Sequence, residues 1–141
     1  MRRLLLLSLL ILPSLCAEAQ ERFTAKFSLY DEETGGTELI CGSVSVCGKC
    51  YRIETAEGYV VGDGVSRWIY SNETKELVIQ KDNPEMTTSL MPGKTSGSAV
   101  VTYSGYKAKL SSISVPDSYE ERFFSVDVED LDEDVIITDL R

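Results

Sequence analysis

Asp63-Gly64-Val65-Ser66-Arg67-Trp68-Ile69-Tyr70-Ser71-Asn72-Glu73-Thr74-Lys75-Glu76-Leu77-Val78-Ile79 is the stretch that decides the fold class of this chain. Trp68-Ile69-Tyr70 and Leu77-Val78-Ile79 are short runs of aromatic and branched residues, and the Ser-Asn-Glu-Thr between them is made of turn formers. Asp63-Gly64 supplies another tight turn just ahead of the first run. Two strands joined by so short a connection must lie antiparallel, so the stretch belongs to a meander and not to a βαβ unit.

The same grammar extends in both directions. Phe23, Ala25, Phe27 and Leu29 alternate with Arg22, Thr24, Lys26 and Ser28, the period of a half-buried strand over about 21–30. Further strands are predicted at 38–46, at 50–54 after the turn Gly48-Lys49, and at 59–61 after Ala56-Glu57-Gly58. Downstream, 99–103, 106–115, 122–128 and 135–137 read as strands, with Gly105 and Pro116-Asp117 as turns. Between Lys81 and Ser98, prolines, glycines and hydroxyl residues leave room for at most a short helix. The expected fold is therefore mainly β, a single antiparallel sheet.

Residues 2–19 have a different character. Arg2-Arg3, an apolar run from Leu4 to Leu12, and the small-residue pattern Ala17-Glu18-Ala19 form a secretory signal peptide over residues 1–19, leaving one β domain over 20–141. Cys16 offers a competing reading as a lipidated cysteine, against which bulky Leu15 and the cleaner Ala-x-Ala site both weigh. The apolar leader is too short for a comfortable membrane span, and the mature chain is expected to be exported and not integral to a membrane. The net charge of −9 argues against nucleic acid and anionic bilayers as direct partners. The absence of histidine removes Ser-His-Asp and Cys-His nucleophile pairs, HExxH zinc sites and imidazole acid–base chemistry. No enzyme activity and no cofactor are expected.

Taken together, Gly42-Ser43-Val44-Ser45-Val46 with Tyr51-Arg52-Ile53, the 63–79 stretch, and the ending Val135-Ile136-Ile137-Thr138-Asp139-Leu140-Arg141 resemble, in order and spacing, the periplasmic carriers of outer-membrane lipoproteins (LolA-like). The resemblance implies a curved antiparallel sheet forming an incomplete β-barrel, whose concave apolar wall receives the acyl chains of lipoproteins or another lipid in the periplasm. It also implies an inner-membrane release complex and an outer-membrane receptor as partners. This chain departs from that pattern in two places. Only Gln20, Glu21 and Arg22 lie between the leader and Phe23, where the family has a long helix, and the lid region between Gln80 and Ala99 is shortened.

Three constellations could carry function. Phe27, Leu29, Val44, Val46, Tyr51, Ile53, Trp68, Tyr70, Leu77 and Ile79 are expected on one face of successive strands as a ligand wall, with Met86, Leu90 and Met91 as adaptable lid contacts. Ordinary core packing is the competing reading for each of them, because alternation assigns a face without saying whether that face is filled. Cys41, Cys47 and Cys50 are disulfide candidates: Cys47 and Cys50 flank a two-residue turn, Cys41 could pair with either, and one thiol is left over. Thiol-redox catalysis would need the first cysteine of the pair at a helix start, and zinc would need a fourth ligand; neither pattern is present. The acidic run Asp127 to Asp134 lacks the glycine and closing glutamate of a calcium loop and reads as a solvated turn, or as a docking surface for a basic partner. The alternatives to lipid carriage are thus a β-sheet interaction module without lipid, and a disulfide or thiol-redox protein.

Overall fold

The computed structural model describes residues 22–31, 37–83, 87, 92–93, 96–103, 106–120 and 122–141. Residues 1–21, Cys16 among them, and Met86, Leu90 and Met91 lie outside the described residues. The chain builds β1 (Arg22–Asp31), β2 (Glu38–Cys47), β3 (Cys50–Thr55), β4 (Gly58–Gly62), β5 (Ser66–Ser71), β6 (Glu76–Lys81), β7 (Gly97–Tyr103), β8 (Tyr106–Ser114) and β9 (Ile136–Asp139). Among the described residues they form one open sheet of nine strands in the order β7-β8-β1-β2-β3-β4-β5-β6-β9. Strands β1 to β6 are the meander that the sequence announces. The chain then crosses to the opposite edge for the β7–β8 hairpin, which pairs with β1, and returns to place β9 parallel to β6. Among the described residues no helix is long and apolar enough to cross a membrane.

The strand expected over 122–128 is not one. Arg122 to Phe124 form a turn, with the Phe123 N–H donating to the Glu120 carbonyl at 3.0 Å, and a 3-10 turn follows at Val128–Asp130. Adjacent Phe123 and Phe124 do not point to opposite sides of a sheet. They meet edge to face at 4.9 Å and both pack on Tyr119, at 5.2 and 4.9 Å. Aromatic clustering here outcompetes the weak alternation of the segment.

Cross-strand pairing assigns the faces. Phe27 opposes Gly42 on β2 and Leu110 on β8; Val44 opposes Ile53, which opposes Val60, which opposes Ile69. These residues share the inner face. The outer face carries Ser45, Arg52, Val61, Trp68 and Ile79 in one row, and Glu54, Tyr59, Tyr70 and Leu77 in the next. The connection between β8 and β9 packs on that outer face. Arg52 Nη1 donates to the Phe123 carbonyl at 3.0 Å, and its guanidinium lies 5.2 Å from the Phe123 ring and 5.5 Å from that of Tyr59.

A bulge bends the sheet. Lys26 pairs with Ser111 but Thr24 with Ser114, and Ala99 pairs with Leu110 but Gly97 with Ile113, so β8 carries one more residue than either neighbour. Ser112, at φ 52°, absorbs it. Without the extra residue, Leu110 and Ile113 would face opposite ways. With it, both are buried in the cluster of Phe23, Ala25, Val44, Val46 and Tyr51.

Candidate functional site

The inner face is filled at one end and hollow at the other. The filled end is the core cluster, in which Val46 and Tyr51 are fully buried. Tyr51 is fixed there by its hydroxyl, which donates to Asp82 Oδ1 at 2.6 Å, while Asp82 Oδ2 accepts the Gly64 N–H at 2.9 Å. Burial, and then the hydrogen bond to the Asp82 carboxylate, raise the Tyr51 phenol well above its usual range, so it is a structural donor and not an acid. Its ring occupies the space over Gly62, where a Cβ would stand 2.4 Å from two ring carbons. Only glycine admits the ring at that point.

Further along the same strands lies a cavity of about 410 Å³, walled by Phe27, Leu29, Ile40, Val44, Ile53, Val60, Ile69, Val101, Ala108 and Leu110. Ile69 on β5 and Val101 on β7 are six strands apart in the sheet. In a flat sheet, six steps of about 4.8 Å would separate them by roughly 29 Å. Their sharing one cavity shows that the sheet curls around it. The filled end forms its floor, with Val44 and Leu110 common to both. The mouth lies at the β3–β4 turn, where Thr55, Glu57, Gly58 and Ser71 complete the lining. Aliphatic walls with a few polar groups at one end are the pattern of a hydrophobic-ligand site.

The ligand wall expected from the sequence is therefore divided. Phe27, Leu29, Val44 and Ile53 line the cavity; Val46 and Tyr51 share their face but plug its base. Tyr70 belongs by register to the outer face, paired with Leu77, and reaches only the border of the mouth, its ring stacked on Tyr59 at 5.1 Å. Trp68, Leu77 and Ile79 stand corrected: pairing with Val61 and its neighbours puts them on the outer face, where Leu77 and Ile79 are buried. The physical cause is that β4 to β6 are apolar on both faces, so periodicity could not select one. Ile40, Val60, Ile69, Val101, Ala108 and Leu110 were missed. The register Ile53, Val60, Ile69 follows from counting through the two short turns, a signal present in the sequence. The 110–113 spacing of three likewise marks the bulge.

The cysteines lie elsewhere. Cys47 and Cys50 face each other across the Gly48-Lys49 turn, where Gly48 at φ 60° takes the left-handed conformation that a two-residue hairpin requires. Cys41 opposes Ser28 and is exposed. It lies six residues before Cys47 on the same strand, about 20 Å along it. A disulfide needs Cα atoms within about 7 Å, so the pairing of Cys41 with either partner inside one chain is ruled out. Burial raises the Cys50 thiol, and Asp63, Cys47 and Asp82 push it the same way, opposite to an activated thiolate. Tyr119, whose hydroxyl donates to the Phe23 carbonyl at 2.7 Å, is pushed up to about 12, mainly by burial. In the acidic run, Asp127 caps the 3-10 turn by accepting the Glu129 N–H, and Asp134 pairs with Lys75 Nζ at 2.6 Å.

No protein-family model matches the chain, and no curated protein matches its sequence. Among solved structures, it is similar to an uncharacterized conserved protein from Thermus thermophilus, with a TM-score of 0.53 and 12% identity, over 94% of this chain and 98% of that one. That likeness shows a shared fold and stops there.

Proposed function

We propose that this protein is a non-catalytic carrier-like module that holds an acyl chain or similar apolar ligand in the hollow of its curled sheet. The observation that carries the reading is one cavity of about 410 Å³ walled by aliphatic side chains from seven strands and closed at its base by a packed core. An alkyl chain entering it gains about 0.8 kcal/mol for each methylene removed from water. The LolA-like sequence resemblance supports the same reading and adds export to the periplasm, with lipoprotein acyl chains as cargo and membrane-bound release and receptor partners. Native mass spectrometry of protein purified gently from its own host tests it. A lipid-sized adduct lost on activation is the expected result, and an unoccupied chain that also rejects added alkyl ligands would refute it.

A second reading rests on the sheet edges. β7 and β9 each end the sheet, and Val100, Ile136 and Leu140 are well exposed there. An edge of this kind can accept a strand from a partner protein. That reading requires complex formation without any lipid.

A further inference from the structure

Building on the proposed ligand-binding role, we infer that the ligand has a head group without negative charge that donates hydrogen bonds, as in a monoacylglycerol or an alkylamine, and that fatty carboxylates are disfavoured. The cavity is blind, because Val44, Val46 and Tyr51 close its base, so an alkyl tail enters first and the head remains at the mouth. Among the described residues lining the cavity, Glu57 is the charged one, and it lies in the exposed turn at that mouth. Thr55 and Ser71 add hydroxyls beside it. The surrounding hairpin ends carry further acids: Glu38, beside the end of β1, and Glu73 are exposed. Of the cations at this end, Lys75 is paired with Asp134, Lys109 holds its Nζ 4.6 Å over the Tyr30 ring, and Lys107 opposes Tyr30, in the row that faces away from Leu29 and Ala108. Arg67, on the inner face, lies at the opposite end, across from Gly62 and close to the Tyr51 phenol. A carboxylate head would therefore meet like charge in a lining that, among the described residues, holds no cation, whereas hydroxyl or ammonium protons find acceptors.

The test is displacement of the apolar fluorophore N-phenyl-1-naphthylamine at pH 7.5 by dodecylamine, monolaurin and laurate, each below its micelle concentration. The tails are matched, so differences report the head. Dodecylamine and monolaurin are expected to compete roughly fivefold better than laurate, the scale of a solvent-exposed charge interaction. Glu57→Lys should reverse the order of amine and laurate. Fluorophore binding with laurate equal to or better than the amine would overturn the inference while leaving the cavity reading intact. Failure of the fluorophore and of all three ligands to bind would instead remove the ligand-binding reading on which it rests.

Discussion

The two ends of the inner face are built from the same strands and the same kinds of residue, yet one is packed solid and the other is hollow. At the packed end, aromatic Phe23 and Tyr51 meet small neighbours, Ala25 and Gly62, and the bulge at Ser112 turns Ile113 inward to complete the layer. At the hollow end, Leu29, Ile53, Val60 and Ile69 are too short to meet across the curl. Filling depends on side-chain reach against curvature, and alternation encodes only the face.

This contrast should appear first in stability. Tyr51→Ala removes the plug and should cost about 3–5 kcal/mol in urea unfolding. Ile53→Ala, already facing the hollow, should cost only about 1–2 kcal/mol. Equal losses would mean that the two ends are packed alike. Gly62→Ala pushes a methyl into the Tyr51 ring and should cost about 1–3 kcal/mol by the same measurement. In the opposite sense, Val60→Phe adds a ring to open space. It should change stability by less than about 1 kcal/mol yet abolish fluorophore binding; retained binding would place the site elsewhere.

Two smaller effects probe the periphery. Peptide mapping after mild oxidation should find Cys47 linked to Cys50 and never Cys41 to either within one chain; a Cys41 link would contradict the β2 register. At the β9 edge, the Arg141 guanidinium, through its hydrogen bonds, lowers the exposed Asp139 carboxyl to about 2, and the Lys75 hydrogen bond lowers Asp134. The Asp134–Lys75 pair is the one that joins the approach to β9 to the β5–β6 turn; because its carboxyl lies below the ordinary 3.8, the pair favours the docked strand above that value and is lost as pH falls below it. Hydrogen-exchange protection factors, taken against the intrinsic rate at each pH, should then fall at the Leu140 and Ile136 amides, which donate to the Ile79 and Lys75 carbonyls, before the meander responds.

The meander and most strand positions were legible because short apolar runs separated by Gly, Asn and Asp turns admit little else. Phe27, Leu29, Val44 and Ile53 could be placed on the cavity face because β1 to β3 are polar on the other side, at Lys26, Ser43 and Glu54. Trp68, Leu77 and Ile79 could not, since β4 to β6 bury apolar residues on both faces and the return connection that covers the outer one is distant in sequence. The 122–128 segment failed for a related reason. Its aromatic residues answer to Tyr119 and Arg52, partners that local alternation does not reveal.

The most direct test of a hollow above a packed floor is methyl NMR of the protein titrated with monolaurin. Shifts are expected at Leu29, Ile53, Val60 and Ile69, with Val46 and Ile113 unmoved. Shifts confined to Val61, Leu77 and Ile79, or none at saturating ligand, would contradict it.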